Sequence, residues 1–249
     1  MNLSSQQAIQ EEGYSFPYHY LDLASDEHRL VRNIEYLSYL RLVKELLQPF
    51  HGQPVLDVGC GDGRFCYELK DEHVELSGVD FSERAITFAR AFNPSVSFFV
   101  HDLLSLRLPK TFDAAVMIET LEHFPPEKTS LVLKNISSVL KEGGTLVLTV
   151  PSTNLPLATK HYQHFTASSL RELLSQHFDV VRVLGHSRDT SAAVVFLFLK
   201  RVGLVLLPFR RFFPFLHHYY SFLRRYYEKY LRLGKPEECT MLVAVCRKR

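Results

Sequence analysis

The stretch from Pro54 to Phe65 constrains the fold of this chain more than any other. It begins with a short apolar run that indicates a buried strand, and glycines then follow at every second position. A helical pattern from about Arg64 to Lys70 comes directly afterwards. Glycine lets the backbone adopt positive φ and lets a ligand approach the main chain, and a helix N-terminus offers unpaired N–H groups. The stretch therefore predicts a strand, a tight ligand-binding turn and a helix.

The spacing of the glycines separates two kinds of nucleotide-binding turn. A dinucleotide fingerprint, G-x-G-x-x-G, needs a third glycine where this chain has Arg64. The observed pattern is D-x-G-x-G-x-G, in which Asp57 can accept a hydrogen bond from a cationic or amine-bearing ligand. It resembles motif I of the class I S-adenosylmethionine (SAM)-dependent methyltransferases. The resemblance implies that Asp57 and the main chain of Gly59, Cys60 and Gly61 hold the amino-acid end of SAM.

Two later strand ends carry acids at suitable distances. Asp80 ends the next predicted strand, 21 residues after Gly59, where its two oxygens can accept hydrogen bonds from a ribose diol. We assign Phe81, the next residue, to the same cofactor site, and an exposed loop aspartate is the alternative interpretation of Asp80. The resemblance further implies that Asp102 accepts from the adenine amino group and that Leu103 donates its N–H to the ring.

These elements predict a Rossmann-like α/β fold with a seven-stranded, mostly parallel sheet and helices on both faces. The resemblance to the methyltransferases implies that the last strand is antiparallel. The predicted strands are 54–58, 74–79, 96–100, 112–118, 145–150, 180–184 and 240–246. Residues 50–249 form the methyltransferase domain, with a helical insertion at about 191–235 before the last strand. Residues 1–49 form an N-terminal helical cover, irregular over 1–26 and helical over 27–47. The helix before the fifth strand is expected to end at a glycine cap, Gly143-Gly144.

Composition limits the class of protein. A chain of 249 residues suits one α/β domain with an insertion or a small appendage. An apolar fraction of 46% and a charged fraction of 22% exclude disordered, collagen-like and polytopic membrane classes. The four cysteines form no C-x-x-C pair, which favours a reducing compartment, and the first 13 residues lack the pattern of a signal peptide. We expect a cytoplasmic protein.

Chemistry is expected at the end of the fourth strand, because ligands of such sheets bind at the carboxyl ends of the strands. Glu119 follows that strand and is expected to border the cofactor. Methyl transfer is an in-line displacement whose leaving group needs no acid, but a hydroxyl acceptor must lose a proton. His123 and His164 are the candidate bases, because histidine titrates near neutrality.

An alternative interpretation joins Glu119, Glu122, His123 and His164 into a metal site. The E-x-x-E-H spacing resembles that of small-RNA 3′-terminal 2′-O-methyltransferases, where two acids and two histidines bind a divalent ion. It is also similar to that of ubiquinone-pathway O-methyltransferases. The aromatic and basic residues that flank the histidines in the RNA enzymes are missing from Lys160 to Thr166, so we expect no metal.

The predicted function is SAM-dependent O-methylation of a small molecule. Metal-assisted RNA 2′-O-methylation is one alternative, and a SAM-binding module without turnover is the other.

Residues 200–235 hold nine Lys or Arg against the single acid Glu228, a local charge of +8, whereas the other 20 basic and 26 acidic residues give −6. The apolar run 192–209 is nearly long enough to span a bilayer, but Lys200 and Arg201 at its centre would cost roughly 5 to 7 kcal/mol. Interleaved cations and aromatics suit helices lying on an anionic membrane, and thus an apolar or lipid-linked acceptor. The same residues fit a helical cap that packs over the pocket or a dimer partner while its arginines are solvated, and they also fit a nucleic-acid groove.

Overall fold

The computed structural model describes residues 5–249, in which one mixed sheet of eight strands forms the centre of the fold. The strands are β1 Pro54–Val58, β2 Glu75–Asp80, β3 Ser97–Val100, β4 Phe112–Ile118, β5 Leu140–Pro151, β6 Phe178–Arg188, β7 Leu233–Gly234 and β8 Cys239–Lys248. Their order is β3-β2-β1-β4-β5-β8-β6-β7. Strands β1 to β5 pair in parallel, and β8 is antiparallel to both β5 and β6, which confirms the Rossmann-like fold with an antiparallel last strand.

The predicted strand count of seven is wrong by one. The additional strand, β7, is only two residues long and pairs with Gly185 and His186 at the edge of the sheet. Two residues are too few to show the apolar pattern of a strand in the sequence. Their pairing depends instead on where the preceding insertion returns to the sheet.

Helices cover both faces of the sheet. The α-helices in residues 5–249 are α1 Ser5–Gly13, α2 Leu21–Ala24, α3 Ile34–Leu47, α4 Arg64–Glu68, α5 Glu83–Phe92, α6 Pro126–Val139, α7 Ala167–Leu174, α8 Ser191–Leu206 and α9 Leu216–Tyr230. Helices α6 and α7 pack with Leu56 and Val58 of β1 on one face, and α3, α4 and α5 pack with Val55 on the other. Neighbouring side chains of β1 thus enter opposite cores, as the alternation of a strand requires.

Three sequence expectations about helices are corrected. Residues 5–13 and 21–24 are helical rather than irregular, and the helix predicted over 27–47 is a π-helical turn, His28–Arg32, followed by α3 after Asn33. The part of the irregular prediction that covers residues 1–4 lies outside the described residues. The Gly143-Gly144 pair is not a helix cap, because Leu140 already has extended backbone angles and pairs with Phe112.

The N-terminal cover, residues 5–49 of the described chain, is attached to the glycine turn by buried polar contacts. The Arg64 guanidinium is 3% exposed and donates to both carboxylate oxygens of Asp22 and, at 3.0 Å, to the carbonyl oxygen of His19. The ring Nδ1 of His19 lies 3.0 Å from Oδ1 of the fully buried Asp62. Because buried charges require partners, the cover and the turn form one structural unit.

Candidate active site

A cavity of about 890 Å³ opens beside the carboxyl ends of β1, β2 and β4, the edge where parallel α/β sheets bind ligands. All nine residues predicted to bind the cofactor line it: Asp57, Gly59, Cys60, Gly61, Asp80, Phe81, Asp102, Leu103 and Glu119. Glu122 and His123 line the same cavity, and so does His19 of the N-terminal cover. His164 is not among its lining residues.

The glycine turn forms the floor of this cavity. Gly59, Gly61 and Gly63 have φ of 72°, 52° and 79°, in the left-handed region that favours glycine. A Cβ atom on Gly59 would lie 2.9 Å from Cβ of Thr120, so the position excludes side chains for steric reasons as well. The turn therefore exposes main chain to the cavity.

Asp57 at the end of β1 is 3% exposed and accepts a hydrogen bond from Sγ of Cys66 at 3.5 Å. Burial raises the pKa of Asp57 to about 7, because a buried carboxyl favours its neutral form. Around neutral pH this group can therefore bind or release a proton when a charged ligand arrives.

Asp80 is held in place by the backbone. Its Oδ2 accepts from the Gly61 N–H and its Oδ1 from the Ser82 N–H, both at 2.9 Å. At 7% exposure it is a buried site residue, so its interpretation as an exposed loop aspartate is wrong. Burial raises the pKa of Asp80 to about 6. Asp102 similarly caps a short 3₁₀ turn, accepting from the Leu104 N–H at 2.9 Å.

Glu119 has φ of 44°, which is unusual for a residue other than glycine. Its N–H donates to Thr149 of β5 at 3.2 Å, and this contact holds the turn after β4. Strained backbone of this kind costs on the order of 1–3 kcal/mol and is concentrated at functional sites. The turn directs the segment from Thr120 to His123 along the cavity wall.

Glu122 is fully buried, and within residues 5–249 neither of its carboxylate oxygens has a hydrogen-bond partner. Burial, and then the nearby Glu119 carboxylate, raise the pKa of Glu122 well above its usual value. Glu122, His123 and His161 each offer one ligand atom, and these atoms lie within 4.8 Å of one another. The structure thus brings His161, rather than the predicted His164, next to Glu122 and His123.

The hydrogen bonds around the histidines define which nitrogen carries a proton. His123 Nδ1 lies 3.0 Å from the Lys160 carbonyl oxygen, and His164 Nδ1 lies 3.1 Å from that of Leu155. Since a carbonyl oxygen only accepts, both Nδ1 atoms are donors. His164 Nε2 then accepts from His161 Nδ1 at 2.9 Å. His123 and His161 therefore each keep a lone pair on Nε2.

Burial lowers the pKa of both His123 and His161 to about 4, so both rings are neutral at pH 7. Sequence analysis missed His161 even though it is three residues from His164 in the same segment. Two histidines at this spacing signal a site, but which one faces the cavity depends on the path of the loop. Here that path is set by the Tyr162 N–H, which donates to the Glu122 carbonyl oxygen at 2.9 Å.

Comparison with known proteins agrees with this geometry. Residues 55–144 match the family described as methyltransferase domain. A SAM-dependent methyltransferase from Thermotoga maritima superposes with a TM-score of 0.65 at 21% identity, covering 98% of this chain and all of that one. Residues 55–144 match a methyltransferase domain, and the chain has the fold of a SAM-dependent methyltransferase.

The methyltransferase domain also has curated relatives. An O-methyltransferase from Aspergillus nomiae is 32% identical over 43% of this chain and 51% of its own length. A ubiquinone biosynthesis O-methyltransferase from Idiomarina loihiensis is 28% identical over 42% of this chain and 44% of its own length. The chain thus spans about half the length of the curated relatives it matches. The fold of this methyltransferase domain also resembles that of an N-methyltransferase, NodS from Bradyrhizobium japonicum, solved with S-adenosylhomocysteine (SAH), at a TM-score of 0.57 and 15% identity.

Proposed function

We propose that this protein transfers a methyl group from SAM to an oxygen atom of a small-molecule acceptor. The observation that carries the proposal is the single cavity in which the acids at the ends of β1 and β2 lie together with His123. The O-methyltransferases among the relatives support oxygen as the acceptor atom. Localisation in the cytoplasm stays a prediction.

The cofactor would be held by the nine predicted residues. Asp57 would accept from its amino group, the main chain at Gly59–Gly61 would contact its amino-acid end, and Asp80 would accept from its ribose. Asp102 and Leu103 would bind its adenine ring. When bound, SAM supplies a methyl group on a sulfonium, which leaves a neutral thioether. Buried carboxylates suit such a ligand, because its positive charge offsets the cost of their ionisation.

His123 is the proposed base. Its Nδ1–H is directed to the Lys160 carbonyl oxygen, so its Nε2 lone pair can accept a proton from an acceptor hydroxyl. The lowered pKa of about 4 keeps the ring neutral and ready to accept, but makes it a weak base. It therefore suits a moderately acidic hydroxyl, as in phenols and enols, better than an aliphatic alcohol. His164 would act indirectly, by fixing the tautomer of His161.

Transfer of a radiolabelled methyl group from SAM to phenolic and enolic acceptors tests the proposal. We expect His123→Ala to lower kcat by about 10²-fold or more while SAH affinity stays unchanged. His177→Ala is the matched control, because His177 lies outside the cavity and bonds to Ser130. If calorimetry shows that SAH binds but no acceptor of any class is labelled, the protein is a SAM-binding module without turnover rather than an enzyme.

Cofactor binding should release a proton from Asp57. With a pKa of about 7 the carboxyl is mostly protonated near pH 6, and a cationic amino group favours the carboxylate. SAH affinity should therefore rise between about pH 5 and pH 7. The same raised pKa means that the free energy of unfolding of the free protein falls as the pH rises from about 4 to about 7.

Calorimetry of SAH binding in buffers of different ionisation enthalpy measures this proton. We expect release approaching one proton per SAH near pH 6 and almost none above about pH 8. Asp57→Asn should remove most of the proton release. Asp102→Asn should weaken SAH binding but leave the proton release unchanged. Proton uptake near pH 6 would show that Asp57 does not face the amino group.

A second candidate function is metal-assisted O-methylation, which the unpartnered carboxyl of Glu122 favours. One buried carboxylate and one ring nitrogen from each of His123 and His161 fit a divalent ion such as Zn²⁺ or Mn²⁺. With a metal bound, Glu122 would be ionised despite its raised pKa, because the ion supplies the missing charge. Glu122, His123 and His161 would hold the ion, whose charge would lower the pKa of the acceptor hydroxyl, and the hydroxyl proton would then pass to water rather than to His123.

Titration with Zn²⁺ or Mn²⁺ alone tests this candidate, read by calorimetry and by the change in Tm. We expect affinity to rise with pH, because all three groups must be deprotonated. Glu122→Gln should weaken metal binding by at least about tenfold, while Glu172→Gln, at an exposed position of α7, should leave it unchanged. Full methyl transfer in the presence of chelator would rule the metal out, and salt-sensitive binding of a short RNA would instead support the RNA acceptor.

A further inference from the structure

Helix α8 presents an apolar face to the outside of the molecule. Val194, Phe198 and Val205 lie on one stripe of this helix and are 68%, 64% and 71% exposed. Among the described residues, Ser191–Phe209 is the one helical stretch that is long and apolar enough to cross a membrane. Only 17% of its most apolar part is buried inside the protein. A core helix of the same composition would be mostly buried, so this face is built for something outside the chain.

The connection from α8 to α9 extends the apolar face with aromatic rings. Phe209, Phe212, Phe213 and Phe215 are 51%, 77%, 47% and 66% exposed. Four exposed phenylalanines within seven residues form a patch of a kind that monomeric soluble surfaces rarely carry. Together with the stripe on α8 they form what we call the insertion face.

The cations of the insertion fall into two groups. Lys200, Arg210 and Arg232 make ion pairs with Glu35, Asp26 and Glu45, which belong to the N-terminal cover. These pairs attach the insertion to the rest of the domain. Six others are exposed and, in the part of the chain that the structure describes, have no acidic partner: Arg201, Arg211, Arg224, Arg225, Lys229 and Lys235.

This combination selects among partners. Nucleic acid would pair with the arginines but offers nothing to the aliphatic stripe. A second copy of the chain, docked face to face, would bring the four unpaired arginines of each copy together, and these eight positive charges would repel one another. An anionic bilayer surface satisfies both features, because rings and aliphatic groups enter the headgroup region while arginines contact phosphate and carboxylate.

A transmembrane position of α8 conflicts with the packing. Its inner side carries Phe196, which packs with Leu223 and Tyr227 of α9, and Lys200 bonds to Glu35 at 2.6 Å. Spanning would break these contacts and place Arg201 in hydrocarbon.

We propose that the insertion face docks this protein reversibly onto anionic membrane surfaces. The proposal goes beyond methyl transfer and does not depend on it. The α3 helix links the two regions, because Glu35 holds the insertion while Tyr36 and Leu40 line the cavity.

Co-sedimentation with phospholipid vesicles tests the proposal. We expect binding to vesicles containing about one-third phosphatidylserine, at least tenfold weaker binding to pure phosphatidylcholine, and release by salt. Replacing Arg201, Arg211, Arg224 and Arg225 by Gln should weaken binding by about 100-fold or more, since each cation near an anionic surface contributes about 1 kcal/mol.

The matched control replaces four exposed cations elsewhere by Gln: Arg107, Lys134, Arg171 and Arg182. It has the same net charge and should keep most of the binding. Phe212→Ser with Phe213→Ser should also weaken binding, with SAH affinity and circular dichroism showing that each variant is folded. The proposal is overturned if the two charge variants bind vesicles equally well. It is also overturned if salt and alkaline carbonate fail to release the protein from the vesicles, or if the protein dimerises without binding vesicles.

Discussion

Gly59→Ala lowers the affinity for SAH by at least about 100-fold while leaving a folded protein. The alanine Cβ would lie 2.9 Å from Cβ of Thr120, in a backbone with φ of 72°. Left-handed backbone costs an L-residue roughly 1–2 kcal/mol, and relief of the clash shifts the main chain that faces the cavity. Since cofactor binding depends on close approach to this main chain, affinity should fall more than stability. Calorimetry with SAH and urea unfolding measure the two effects.

Gly143→Ala is the control for backbone strain. Gly143 has a similar φ of 71°, but nothing lies within 4 Å of its added Cβ, and it does not line the cavity. We expect a comparable backbone cost and unchanged SAH affinity. If Gly59→Ala binds SAH as tightly as Gly143→Ala does, the glycine turn is not the cofactor site.

Arg64→Met destabilises the domain by about 3–5 kcal/mol, the usual effect of removing one partner of a buried ion pair. Arg64 and Asp22 are 3% and 4% exposed, so the substitution leaves the Asp22 carboxylate buried without its guanidinium. It also removes the donor to the His19 carbonyl oxygen, and with it a main attachment of the N-terminal cover. Urea unfolding, followed by circular dichroism, measures the loss.

Two further variants make this result interpretable. Adding Asp22→Leu to Arg64→Met should recover a large part of the loss, because the uncompensated charge is gone. Lys110→Met breaks an ion pair with Glu75 that is largely solvated, and should cost less than about 1 kcal/mol. If Arg64→Met lowers the free energy of unfolding by less than about 1 kcal/mol, the N-terminal cover is not attached through the Arg64–Asp22 pair.

The sequence predicted those elements whose ends are determined by the residues next to them in the chain. Strand β4 has the predicted bounds, Phe112–Ile118, because an apolar run is bounded there by charged residues. Ser82 similarly caps α5 through a local contact, accepting from the Ala85 N–H at 2.9 Å. By contrast, Gly143 and Gly144 look like a helix cap, yet they lie within β5 because Leu140 pairs with β4. Such pairing is a tertiary effect that no local pattern contains.

The candidate site divides in the same way. The nine cofactor residues gather in one cavity because they follow strands whose carboxyl ends must meet in a parallel sheet. The choice between His161 and His164 depends on a loop contact to Glu122, which the spacing does not encode. Likewise, nothing near Arg64 in the sequence indicates that Asp22, 42 residues earlier, is its partner.

The buried pair between Arg64 and Asp22 also bears on where this domain begins as a folding unit. The match to the methyltransferase family starts at residue 55, whereas an acid at position 22 neutralises a cation inside the matched region. A truncated protein starting at residue 50 would keep every residue of the family match, but would uncover the Arg64 guanidinium and leave it with Glu68 as its remaining acidic partner. We therefore expect the smallest autonomous piece of this chain to extend at least 33 residues upstream of the boundary that similarity alone defines.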